Sequence, residues 1–236
     1  MPLKVGKLTL GSTPRIVVSF RDKTPERKIK EARDAGLDIA ELRIDLFSSV
    51  KPSCVLKEAA KFKGIPIIAT IRSEIEGGKW RFHEEQRLKL FQAIISKVDA
   101  IDIELSSRFI LGLVVQAARR AKKLVIISYH NFERTPRLDE LNEIRELAES
   151  QGADVVKIAA TARTAGDFRA LASFTVEHAP SGIITVAMGK EAAASRIVFP
   201  ALGSLVTYAH LGKPTAPGQL DLKSMSVLMK KLYPKF

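Results

Sequence analysis

The sequence predicts a (β/α)8 barrel on three observations: strand-length apolar runs rich in β-branched residues, a helical pattern after each, and a length that suits one such barrel. The runs fall at residues 16–20, 39–44, 65–71, 100–105, 124–129, 155–159, 182–186 and 202–207 of the 236-residue chain. Strands that alternate with helices in this way pair in parallel and carry their helices on the outer face. No Ser/Gly-rich linker, charge block or low-complexity tract interrupts the alternation, so the reading is one domain over 1–236.

Before the first run, residues 8–13 read as a short hairpin that closes the barrel floor. The first helix starts at Thr24-Pro25, with Thr24 placed to cap it and Pro25 at its first position. Residues 85–98 set Leu88, Phe91, Ile94 and Ile95 on one helical face. The helix between the last two runs is short, which leaves an open doubly wound sheet as the alternative.

With 46% hydrophobic and 27% charged residues, the composition is that of a soluble globular protein. No apolar run approaches the ~18 residues that span a bilayer. Met1-Pro2-Leu3-Lys4 opens into charged sequence rather than a secretory leader, so the expectation is a cytoplasmic protein without a membrane partner. The single Cys54 cannot close an intrachain disulfide and reads as a small, partly buried apolar side chain.

A net charge of +12 attracts anions of every kind without choosing among them. The cations are interleaved with acids, as in Glu26-Arg27-Lys28-Ile29-Lys30-Glu31, or cluster near expected helix C-termini, as in Arg119-Arg120-Ala121-Lys122-Lys123 and Lys230-Lys231. With 6% aromatic residues and no aromatic platform among the basic ones, no nucleic-acid partner is expected. His83, His130, His178, His210 and Cys54 show no metal-ligand spacing, and neither a Gly-x-Ser-x-Gly elbow nor a Rossmann fingerprint occurs. The expected chemistry therefore uses no metal and no cofactor.

In a parallel barrel every strand C-terminus opens on one face, so the polar residues that end the apolar runs carry the information. The runs lead in order to Ser19, to Glu41 and Arg43, to Arg72, to Glu104, to His130, to Lys157 and to Met188. Lys157 stands out because it lies within Asp154-Val155-Val156-Lys157-Ile158-Ala159-Ala160. An ammonium buried there costs several kcal/mol unless it is paired or loses its proton. A neutral amine is a nucleophile, and His130 at the end of the adjacent run supplies an acid/base partner, a pairing that suits imine chemistry. Such a role expects the lysine pKa to fall from ~10.4 towards ~7–8 through burial and nearby arginines. On an edge strand the same lysine would merely snorkel to solvent.

Glu41 and Arg43 lie two apart on one strand and share a face, as a structural ion pair or as a clamp on a polyol. After Arg72 comes Ser73-Glu74-Ile75-Glu76-Gly77-Gly78, a loop from which a carboxylate could reach His130 and raise its basicity. The two glycines permit tight backbone geometry and lack the spacing of a phosphate cradle.

Six motifs in series resemble the type I 3-dehydroquinate dehydratases over nearly the whole chain. They are Glu41-Leu42-Arg43-Ile44-Asp45, Thr70-Ile71-Arg72-Ser73 with Glu76-Gly77-Gly78, Ser128-Tyr129-His130-Asn131-Phe132, Val156-Lys157-Ile158-Ala159, Ser195-Arg196 and Ala216-Pro217-Gly218-Gln219. The resemblance implies a (β/α)8 barrel, Lys157 as the imine-forming amine, His130 as general acid/base and Glu76 as its acidic partner. It further implies that Ser19, Glu41, Arg43 and Arg72 belong to the substrate-binding set, that Arg196 takes the substrate carboxylate, and that Thr215 and Gln219 belong to a lid. A homodimer is also implied. Thr215 replaces the usual serine of the lid, Tyr208 stands where phenylalanine is common, and Asn131 where aspartate often follows the histidine. A class I aldolase on a similar barrel is the alternative enzyme. Against it, no clear phosphate site follows the last two runs, and Arg196 with Gln219 suits a carboxylate better.

Overall fold

The computed structural model describes residues 2–212 and 219–233. Strands β3 (Arg15–Phe20), β4 (Ile39–Arg43), β5 (Ile67–Thr70), β6 (Ala100–Glu104), β7 (Leu124–Asn131), β8 (Val155–Thr161) and β9 (Ile183–Met188) pair in parallel in chain order, and β10 (Val206–Ala209) returns to pair with β3. That return pairing, Val206 opposite Arg15 through Ala209 opposite Val18, makes the sheet a barrel and excludes the open doubly wound arrangement. Outside it lie α1 (Glu26–Asp34), α2 (Pro52–Ala59), α3 (Glu84–Ile94), α4 (Leu111–Arg120), α5 (Leu138–Ser150), α6 (Ala165–His178), α7 (Ser195–Ala201) and α8 (Leu222–Leu232).

The seam lies between β9 and β10, which share no ladder. There the Leu205 N–H donates to the Ile183 carbonyl at 2.9 Å, and the Thr185 N–H to Ser204 Oγ at 3.1 Å. The eighth strand begins four residues later than the apolar run at 202–207 suggests. Leu202 and Ser204 bond back to carbonyls of α7, Leu202 to Val198 and Ser204 to Phe199, so this stretch completes a helix terminus before the strand can start.

Alternate residues of each strand face opposite sides. One set, including Val18, Leu42, Ala69, Ile101, Ile127 and Ile158, packs under the helices. The other fills the barrel in layers. Val17, Ile39, Ile68, Ala100, Val155 and Val206 form an apolar lower layer. Two residues further along the same strands, Ser19, Glu41, Thr70, Asp102, Lys157 and Tyr208 form a polar one. The fold thus sets the reactive layer on a dry base.

Under that base lies the expected hairpin, formed by β1 (Lys4–Val5) and β2 (Leu8–Thr9) rather than by residues 8–13. Gly6, at φ 59°, makes the turn, and Val5 and Leu10 pack into the barrel interior. Other local expectations shift as well. Pro25, not Thr24, is the N-cap of α1, because the Thr24 hydroxyl donates to the Arg21 carbonyl. On α3 the inner face is Arg87, Leu90, Phe91 and Ile94, with Leu88 only half-buried and Ile95 in the following 3-10 turn. Cys54 is exposed, contrary to expectation. The basic clusters do close helices: Arg119 and Arg120 end α4, and Lys230 and Lys231 fall in the last turn of α8.

If the hairpin seals the barrel, Val5→Asp is expected to cost about 1–3 kcal/mol of unfolding free energy by burying an unpaired polar group. Lys7→Asp, on the exposed turn, is expected to change it by less than about 0.5 kcal/mol. Urea titration of both variants measures the difference.

Candidate active site

At the C-terminal mouth, the polar layer becomes a chain of buried charges. Lys157 Nζ donates to Asp102 Oδ2 at 2.8 Å and to the Tyr208 hydroxyl at 3.1 Å, and lies 3.8 Å from Glu41 Oε1. The other Asp102 oxygen accepts from Arg72 Nη2 and Ser128 Oγ, each at 2.7 Å. Arg72 in turn meets Glu104 at 3.1 Å, and Glu104 binds Arg87, which reaches in from α3. Each ion here would cost several kcal/mol if buried alone, and the alternation of sign makes their burial possible.

The state of the amine differs from the sequence expectation. Burial by itself lowers the Lys157 pKa, but Asp102, Tyr208 and Glu41 outweigh it and hold the group above the ordinary lysine value. Lys157 is therefore held as the ammonium. Burial also disfavours the Asp102 carboxylate, yet Arg72, Lys157 and His130 keep it ionised far below the usual range.

His130, near the end of β7, pairs with Glu76. The Glu76 Oε2 atom lies 2.9 Å from His130 Nδ1 and accepts the His130 backbone N–H at 2.9 Å, while Oε1 accepts from Ser106 Oγ at 2.5 Å. Glu74, the other candidate carboxylate, points out to Arg81. A one-turn 3-10 helix at Glu74–Glu76 sends the two acids in different directions. Burial pushes the Glu76 pKa up to about 7. Burial, with Arg72 and Lys157, pushes His130 well below its usual value. Both shifts favour the uncharged forms, so near neutral pH the imidazole is neutral and the Glu76 carboxyl lies near its midpoint.

The glycines after Glu76 are required by close approach. A Cβ on Gly78 would stand 2.0 Å from the Arg72 carbonyl oxygen, and one on Gly77, at φ 76°, would stand 2.4 Å from the Phe132 ring. They let the loop fold back over β5 so that Glu76 reaches β7.

Around the reactive pair, Ser19 donates to Glu41, and Thr70 Oγ1 donates to the other Glu41 oxygen at 3.0 Å. Arg43 is not paired with Glu41. Its guanidinium makes a bidentate bond to Asp45 at 3.0 and 2.9 Å, which fixes it at the cavity wall. Arg196, in the first turn of α7, is 4% exposed, and its Nε has no hydrogen-bond partner. Among the described residues no carboxylate lies within ion-pair distance of it, and burial lowers its pKa to about 10. Ser19, Glu41, Arg43, Arg72, Glu76, His130, Lys157, Arg196 and Gln219 thus line one cavity, together with Tyr208, Phe132 and Met188. Thr215 lies outside the described residues. Among the described residues, no group of three or more His, Cys, Asp or Glu side chains could hold a metal ion.

Two central residues escaped the sequence reading. Asp102 shares its strand face with Glu104, and that parity is the signal that could have found it. Tyr208 falls beyond the misplaced eighth run, so the sequence marked it only as a departure from the family's usual phenylalanine and gave it no role.

Comparison with known proteins gives one answer. The pattern of type I 3-dehydroquinase matches residues 16–234. A 3-dehydroquinate dehydratase of Thermodesulfovibrio yellowstonii is 34% identical over 94% of this chain and 97% of its own. Among solved structures, the 3-dehydroquinate dehydratase of Geobacillus kaustophilus superposes with TM-score 0.91 at 28% identity, covering 99% of this chain and 98% of the other. A type I 3-dehydroquinate dehydratase from Clostridium difficile, with covalent modified comenic acid, gives TM-score 0.91 at 29% identity over 100% and 99% of the two chains. This chain belongs to the type I 3-dehydroquinase family.

Proposed function

We propose that the chain dehydrates 3-dehydroquinate to 3-dehydroshikimate and water through an imine on Lys157, with His130 as general acid/base. The observation that carries this reading is a buried amine and an imidazole–carboxylate pair that line one cavity with a guanidinium without a carboxylate partner among the described residues. In this reading the substrate carboxylate binds Arg196, where a planar fork bonds both oxygens and offsets a charge that burial disfavours. The ring hydroxyls meet Glu41, Arg43 and Arg72, and Gln219 borders the same space.

Lys157 must lose a proton before it attacks. The acceptor we assign is the His130–Glu76 pair, whose imidazole is neutral near pH 7. The amine then adds to the C3 ketone, the pair returns its proton to the C3 oxygen so that it leaves as water, and the iminium draws electrons from C2. His130 removes the C2 proton, the enamine expels the C1 hydroxyl, and the same imidazole gives that oxygen its proton. Hydrolysis of the imine restores Lys157. One water is lost overall, and no cofactor or metal takes part. Asp102 holds the amine in register throughout and stabilises the cationic imine.

The described chain serves as one catalytic unit in this proposal, in the cytoplasm and as a homodimer. The family resemblance and the outward Phe109 and Leu113 side chains on the α4 side support the dimer. Sedimentation equilibrium showing only monomer would remove it.

Three outcomes are expected. Borohydride reduction during turnover of 3-dehydroquinate should add one ligand mass at Lys157, and Lys157→Ala should show no turnover; an unmodified lysine refutes the imine. Arg196→Leu should raise KM about 10- to 100-fold with a smaller loss in kcat, the pattern of lost carboxylate binding. The third concerns pH. Glu76 has its pKa raised on folding, so its contribution to stability is full below about pH 4 and is lost as pH rises through about 7. Glu76→Gln imitates the protonated acid, so its stability relative to the parent should increase between about pH 5 and about pH 8. Its kcat should fall about tenfold or more. Chemical denaturation at the two pH values checks the sign.

A further inference from the structure

Among the described residues, Tyr208 is the one group besides Asp102 that hydrogen-bonds the Lys157 amine, and the reaction as described above gives it no role. Its ring is buried in the barrel interior, with Nζ 4.7 Å from the ring centroid and 3.1 Å from the hydroxyl. The amine donates in that bond, which leaves the phenolic hydrogen to be directed elsewhere. No acceptor for it lies among the described residues, and Tyr208 lines the cavity in which a ligand would sit. Burial pushes the Tyr208 pKa up to about 12, so the hydroxyl keeps its proton at neutral pH.

Addition of an amine to a ketone needs a proton to move from nitrogen to oxygen. The new N–C bond forms, the C=O π pair moves onto oxygen, nitrogen sheds a proton and oxygen takes one. A direct transfer closes a four-membered ring, whereas a hydroxyl that accepts from nitrogen while donating to oxygen closes a six-membered one. We propose that Tyr208 is a further catalytic residue, a proton relay that accepts the Nζ hydrogen and gives its own to the ketone oxygen as the carbinolamine forms. The relay begins and ends with a neutral phenol, so no additional charge is created in a buried site. It divides the labour: the His130–Glu76 pair takes the ammonium proton beforehand, Tyr208 serves C–N bond formation from the free amine, and His130 then serves the carbon acid and the leaving hydroxyl.

The inference rests on the imine-forming reading of Lys157, and the test separates the two. Tyr208→Phe keeps the ring against the amine and removes the hydroxyl. Rapid mixing with 3-dehydroquinate followed by borohydride quench reads the rate at which residue 157 is modified. The variant is expected to form the adduct about tenfold or more slowly, with an unchanged melting midpoint. A proton inventory in mixtures of H2O and D2O should be curved for the parent, where two hydrogens move together, and linear for the variant. Mere loss of amine positioning would leave that curvature in place. Adduct formation at the parent rate, or a curved inventory in Tyr208→Phe, overturns the relay. If the parent itself forms no adduct at Lys157, the imine reading fails, and the relay fails with it.

Discussion

The contact between Asp102 and Lys157 is the constraint on which the rest of the site depends. One carboxylate, buried to 0% exposure, divides its two oxygens between Arg72 and the amine, and so fixes both cations in a place where neither could stay alone. Arg72 extends the chain to Glu104 and thence to Arg87 on α3. A helix on the outside of the barrel thereby takes part in placing the Lys157 nitrogen. Removing one member of such a set leaves an uncompensated charge in a dry interior, which typically costs about 3–5 kcal/mol.

The same contact explains what the sequence could and could not say. The eight-strand plan was legible because strands buried on both faces read as unbroken apolar runs, and because a charged residue inside such a run is conspicuous. Lys157 and His130 were singled out that way. The charge on Lys157 was not legible, because it is set by Asp102, a side chain 55 residues away in sequence. Nor could the sequence choose between Glu74 and Glu76, which leave a single 3-10 turn in different directions. Leu202 and Leu205 look like strand residues on hydrophobicity alone. Their backbone groups serve the end of α7 and the β9–β10 seam instead, which moved the strand and hid Tyr208.

Charge is distributed in the cavity by need. Where a cation must stay put, as at Arg43 or Arg72, a carboxylate stands against it. Arg196 has none among the described residues, and burial weakens its hold on its proton, so an incoming anion meets a group with much to gain from it. The imidazole side is arranged differently. Glu76 and His130 are both pushed towards their uncharged forms, and in the proposed reaction this pair takes up and releases a proton within one turnover.

The hairpin at the opposite end has a bearing on traffic. With Val5 and Leu10 set into the lower layer, the barrel has a bottom as well as walls. In the proposed reaction, everything that reaches the amine comes through the rim, and everything released leaves by it, including the water shed when an imine forms and the water needed to undo it. A vessel with one doorway handles its traffic in sequence: departure of the finished ring has to precede arrival of the next.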